Sequence, residues 1–122
     1  MEEKMKVLGV CILTTDVIKL SDFYKTVLQT DSVGDSTHME INTQGAAIAI
    51  YNPGNVHQSK INNIQLGVEV DDVDSEFERL SVLGITITQP PETYPWGRRA
   101  MQIQDLDGNY INLSSPAKEV SR

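Results

Sequence analysis

The sequence holds a single cysteine, Cys11, so no internal disulfide can form. The fold must hold by packing, and a reducing compartment suits it. Histidine is nearly as scarce, with only His38 and His57, which leaves little imidazole for a metal or a general base. Ten basic residues stand against seventeen acidic ones, a net charge of −7, and no basic cluster exceeds Arg98–Arg99. Binding a phosphate backbone needs a basic stripe, so no nucleic acid is expected as a partner. No apolar run approaches the ~20 residues of a membrane span. Val7–Leu13 follows Lys4 and Lys6 but is short for a signal-peptide core, lacks a small-residue cleavage site and ends at Thr14-Thr15-Asp16. No membrane is expected as a partner, and a cytoplasmic protein is.

What is present reads as one small domain. A chain of 122 residues, 39% hydrophobic, can bury a core without a metal or disulfide staple. Within residues 1–122 a repeat is visible at an offset of 56 residues. Gly9–Val17 (GVCILTTDV) lies over Gln65–Val73 (QLGVEVDDV), with Asp16 on Asp72 and Val17 on Val73. A repeat of half the chain means two supersecondary modules, about 6–53 and 62–116, rather than a solenoid.

Each module reads as a strand, a helix and three more strands. Period-2 alternation sets Val10, Ile12 and Thr14 on one face and Cys11 and Leu13 on the other. Asp16 and Asp72 suit helix N-caps. Apolar residues then recur at helical spacing, Val17, Leu20, Tyr24, Val27 and Leu28 in one helix and Val73, Phe77, Leu80 and Leu83 in the other, with Gly84 as a stop. The following strands are expected near Thr30–Gly34, Thr37–Ile41 and Ala46–Tyr51, then Ile85–Gln89, Arg99–Gln104 and Tyr110–Ser114. The Asp-Gly step of Asp105–Asn109 signals a hairpin. Asn52–Asn63 reads as a linker, Pro90–Gly97 as a loop carrying Tyr94 and Trp96, and Ala117–Arg122 as a tail.

Asp16 with Phe23-Tyr24, Val68–Val73, Trp96-Gly97-Arg98 and Asp105–Ile111, in that order, resemble the vicinal oxygen chelate superfamily. That superfamily contains glyoxalase I, extradiol dioxygenases, methylmalonyl-CoA epimerase, and bleomycin- and fosfomycin-resistance proteins. The resemblance covers nearly the whole chain, with Leu106 standing where the family usually has proline. It implies an α+β fold of two β-α-β-β-β modules forming a cupped mixed sheet. In metal-using members four strand positions supply His, Glu, His and Glu. Matched residue by residue, those positions are Gly9, Ala49, Gln65 and Asn112 here.

Glycine and alanine offer no ligand, and neutral amides alone hold a divalent cation too weakly to make a Lewis acid. No metal and no cofactor is therefore expected. His57 reads as a solvated linker side chain. His38 and Glu40 share a strand face and read as a surface pair. By strand parity Gln65, Gly67 and Glu69 share one face, as do Tyr110, Asn112 and Ser114, and Gly9, Cys11 and Leu13. That lining lacks a nucleophile–base pair and suits binding over catalysis. Gly9 and Gly67 mark either a pocket or close packing. Trp96 can stack on a planar or cationic ligand or plug a seam. Arg98 and Arg99 point to opposite faces, so one at most holds an anion. Cys11 has no basic neighbour to activate its thiol.

Two readings follow. In one, the chain resembles metal-free bleomycin-resistance-type proteins and binds a small molecule such as an antibiotic without catalysis. Gln65, Trp96, Arg98, Tyr110, Asn112 and Cys11 are then the candidate contacts, and the resemblance implies a homodimer. In the other, displaced ligands among His38, Glu40, Glu69 and Glu92 support a metal-dependent lyase, isomerase or dioxygenase.

Overall fold

The computed structural model describes residues 5, 7–57 and 64–117. The chain divides into two compact units, Met1–Gln58 and Ser59–Arg122. The fold is α+β, two four-stranded mixed sheets each carrying one helix. Residues 58–63 of the expected linker and 118–122 of the expected tail lie outside the described residues.

The first unit runs β1 (Gly9–Leu13), α1 (Val17–Leu28), β2 (Ser32–Gly34), β3 (His38–Ile41) and β4 (Ala47–Tyr51). Its strands lie in the order β1-β4-β3-β2, with β1 parallel to β4 and the other pairs antiparallel. Asp16 caps α1, its carboxylate accepting from Lys19 N at 3.0 Å. Gln29, in the left-handed region at φ 53°, ends it. Val17, Leu20, Phe23, Tyr24 and Val27 are buried, as are Ile41, Ile48 and Ile50 on the sheet. Each such aliphatic or aromatic side chain contributes roughly 1.5–3 kcal/mol on burial.

The second unit repeats the plan. Its elements are β5 (Gln65–Glu69), α2 (Val73–Val82), β6 (Ile87–Tyr94), β7 (Arg98–Gln104) and β8 (Tyr110–Pro116), in sheet order β5-β8-β7-β6. Asp72 caps α2, accepting from Asp74 N at 3.0 Å and Ser75 N at 3.2 Å. Gly84 stops it at φ 76°. Val73 and Leu80 pack with Met101, Ile103, Ile111 and Leu113 in the core. Leu83, expected on the buried stripe, is half exposed because α2 has already ended at Val82.

One stretch departs from expectation. Pro90–Tyr94, read as loop, belongs to β6. Proline cannot donate to a sheet ladder, so it is confined to edge strands and bulges. Both conditions are met: β6 is the sheet edge, and its register with β7 shifts between Gln89 and Glu92. The β7–β8 turn hangs on Asp105, which is 6% exposed. Its Oδ1 accepts from the backbone N–H groups of Asp107 and Asn109, each at 2.9 Å, and Oδ2 accepts from Asn109 Nδ2 at 2.9 Å.

Candidate functional site

Within each unit the sheet turns one face to its helix, and the unit places no layer on the other face, termed the open face. In the second unit the cross-strand register sorts the faces. Gln65 lies opposite Tyr110, Gly67 opposite Asn112 and Glu69 opposite Ser114. Gln104, Gln102 and Ala100 continue those rows on β7. Gln89 pairs with Gln102, Glu92 with Ala100 and Tyr94 with Arg98. The parity expectation thus holds, and of the six candidate contacts Gln65, Arg98, Tyr110 and Asn112 share this one open face.

The open face is held by polar links. Thr88 donates through its hydroxyl to Gln102 Oε1 at 2.8 Å, and Gln102 Nε2 donates to Gln65 Oε1 at 3.0 Å. Arg98 Nη2 donates to Ser114 Oγ at 2.9 Å and to Glu69 Oε2 at 3.3 Å. Arg99 points the other way, its guanidinium pairing with the Asp74 carboxylate through two bonds of 2.8 Å on the helix side. The Glu69 and Asp74 ion pairs are solvent-exposed and so position side chains more than they stabilise the fold.

At the β6–β7 hairpin, Trp96 is 71% exposed and stacks on Tyr94, ring centroids 4.7 Å apart and planes 15° apart. Gly97 makes that turn possible with φ 88°. Partial burial first, and then the Glu92 carboxylate, hold the Tyr94 phenol above its usual 10.0, so it stays neutral at pH 7. Because Tyr94 pairs with Arg98, the stacked rings sit at the Glu69–Ser114 end of the sheet.

The first unit carries Cys11, the remaining candidate. Its thiol is free and exposed, on β1 opposite Ala49. Burial, the usual state of a free cysteine, does not apply because this face of the sheet has no covering layer within the unit. His38 lies opposite Tyr51, their rings tilted at 58° and 5.8 Å apart, and Glu40 lies opposite Ala49. His57, at the end of the described stretch, is exposed.

The register also settles which residue of β4 matches Asn112. Cys11 faces Ala49 as Gly67 faces Asn112, and Gly9 stands to Cys11 as Gln65 stands to Gly67. Ala49 is therefore the counterpart of Asn112. Gly9 is closed as well as empty, since a Cβ added there would overlap the Ala47 carbonyl oxygen. A histidine cannot stand at that position without moving β1 away from β4. Among the described residues no group of three or more His, Cys, Asp or Glu could hold a metal ion. At the four family positions the side chains do not fit a divalent cation: Gly9 and Ala49 supply no donor, and Gln65 and Asn112 supply neutral amides.

Comparison with known families agrees with this architecture. The family model described as Glyoxalase/Bleomycin resistance protein/Dioxygenase superfamily matches residues 6–113. The chain belongs to that superfamily. Solved structures agree in fold. A glyoxalase/bleomycin resistance protein/dioxygenase from Nocardioides superposes with a TM-score of 0.81 at 18% identity, covering 99% of this chain and 89% of its own. TioX from Micromonospora sp. ML1 gives 0.73 at 24% identity, covering 92% and 99%. Lactoylglutathione lyase from Agrobacterium tumefaciens gives 0.72 at 16% identity, covering 92% and 94%. No curated protein sequence matches this superfamily member. No helix among its described residues is long and apolar enough to cross a membrane.

Proposed function

We propose that this superfamily member binds a small planar organic molecule without a metal, on the open face of its second sheet. The observation that carries the reading is the replacement of the family's ligand positions. Gly9 is sterically closed, Ala49 offers no donor, and Gln65 and Asn112 offer neutral amides on an open polar face. Such a face presents fixed donors and acceptors without a nucleophile–base pair, which is the chemistry of recognition. Trp96 and Tyr94 supply a π surface at one end of it, and a planar ring, neutral or cationic, can extend that stack. The net charge of −7 favours neutral and cationic ligands over anions. Gln65, Tyr110 and Asn112 are the polar contacts, Arg98 holds the Glu69 end in place, and Cys11 belongs to the sheet of the first unit. The protein acts as a cytoplasmic homodimer in this reading.

A thermal-shift screen of planar aromatic compounds, antibiotics included, run in excess EDTA tests it. A ligand at a hundredfold its Kd adds about 2.7 kcal/mol, a rise on the order of 10 °C for a chain of this length. Trp96→Ala should weaken that ligand severalfold while leaving the Tm of the free protein unchanged, because the ring is exposed. The reading fails if stabilisation appears only when a divalent metal replaces the EDTA. Sedimentation velocity at micromolar concentration tests the dimer.

A further inference from the structure

Of the three strand glycines, Gly9, Gly34 and Gly67, the two at matching module positions, Gly9 on β1 and Gly67 on β5, differ in kind. Glycine weakens a strand interior and is retained where another backbone or a ligand comes close. At Gly9 the close neighbour is backbone, the Ala47 peptide. At Gly67 a Cβ built on the backbone meets no heavy atom of the described residues within 4 Å, and the backbone is not in the left-handed region. Nothing in the fold requires glycine at this position. Directly opposite stands Asn112 on the central strand β8. Glycine and asparagine are both poor strand formers, and here they face each other where a β-branched pair would stabilise the sheet.

The gap above Gly67 is bordered by Gln65 and Glu69 along β5 and by Tyr110, Asn112 and Ser114 across it. The amide relay fixes what this border offers. Gln102 has its oxygen occupied by Thr88 and gives its N–H to the oxygen of Gln65. That leaves the Gln65 amide nitrogen as a donor toward a ligand. The Asn112 side chain takes part in none of the hydrogen bonds among the described residues, so it offers both a donor and an acceptor. A carbonyl and an N–H held side by side in one plane match this pair. A carboxylate can accept from both N–H groups but leaves the Asn112 oxygen without a donor, and an ammonium leaves both N–H groups without an acceptor.

We propose that the gap at Gly67 seats a carboxamide-like group, such as a primary amide, lactam or ureide, of the small molecule. This rests on the reading that the open face binds a ligand, and it assigns Gly67 as the residue that makes room and Gln65 and Asn112 as those that choose the group.

The experiment is a two-dimensional 15N–1H titration with benzamide as the probe, and with benzoate and benzylamine as shape-matched controls. Benzamide should move the side-chain NH2 signals of Gln65 and Asn112 and the backbone signal of Gly67, with the weak affinity expected of so small a molecule. Gly67→Leu should lower that affinity at least tenfold with a Tm equal to or above that of the parent. Gly67→Ala, which adds only the methyl that has space, serves the same purpose should the larger side chain fail to fold. Benzoate binding as well as benzamide overturns the assignment, as do Gly67 variants that bind unchanged. Shifts at Trp96 without shifts at Gln65 and Asn112 overturn it too, but leave the broader binding reading standing. Shifts at Gly67 that follow protein concentration without any probe assign the gap to a second copy of the chain and also overturn it.

Discussion

Replacing Asp105 by alanine should cost this protein about 3 kcal/mol of stability. The carboxylate is nearly inaccessible and accepts three hydrogen bonds of 2.9 Å, two from backbone N–H groups and one from the Asn109 amide. Hydrogen bonds to a charged group are worth roughly 1.5–3 kcal/mol each. They do not sum fully, because the freed Asp107 and Asn109 N–H groups are only partly buried and can recover water. An m-value of about 2 kcal/mol/M in urea suits a chain of this length, so the midpoint should fall by about 1.5 M. Asp105→Asn sharpens the test. Its oxygen can still accept from the two backbone groups, but its NH2 then confronts the NH2 of Asn109, and an intermediate loss of about 1–2 kcal/mol follows. Urea unfolding followed by far-UV circular dichroism reads both variants. A loss below about 0.5 kcal/mol for Asp105→Ala, the range of ordinary surface changes, would refute the claim that this carboxylate organises the β7–β8 turn.

Other outcomes follow from the same geometry. Ser21 is 1% exposed and its hydroxyl has no hydrogen-bond partner among the described residues, so Ser21→Ala should stabilise by about 1 kcal/mol, read as a rise of about 4 °C in Tm. Gly9→Ala should destabilise by more than about 2 kcal/mol, because its methyl overlaps the Ala47 carbonyl and one strand must move; a neutral result in urea unfolding would contradict the close approach. Asp35 accepts from the backbone N–H groups of Thr37 and His38, which with the His38 charge hold its carboxyl below 3.8. The folded value is the depressed one, so its stabilisation is present above 3.8 and is lost as pH falls through that lower value. A carboxyl 13C titration should place its midpoint below 3.8, and Asp35→Asn should remove that part of the acid dependence.

Much of the fold was legible because its signals are local. Asp16 and Asp72 announce their caps by side-chain length and position, Gly84 announces a left-handed stop, and the alternation of Val10, Ile12 and Thr14 announces a strand. The repeat at 56 residues carried the division into two like modules. Edge position is not local, so Pro90 and Pro91 read as a loop when they lie in β6 at a register shift. Nor is register itself, which fixes Ala49, already matched through the resemblance, as the counterpart of Asn112, and the crowding that separates Gly9 from the open Gly67 is no more local. The Asp105 turn was half legible. The Asp-Gly step marked the hairpin, but the residue that anchors it is the buried aspartate two positions earlier. At the site, parity put Gln65 in one row and Tyr110 with Asn112 in another, and the β5–β8 register joins the rows, while the stacking of Trp96 on Tyr94 depended on β6 extending through the prolines.

The central claim is that the family's metal centre has no counterpart in this chain and that recognition is left to side-chain amides and aromatic rings. Elemental analysis tests it most directly, on protein purified without a histidine tag and dialysed against zinc, nickel, manganese and iron(II) before removal of free ions. The account predicts far less than one equivalent of any of these metals per chain. Retention of about one equivalent, lost when Gln65 and Asn112 are replaced by leucine, would contradict it.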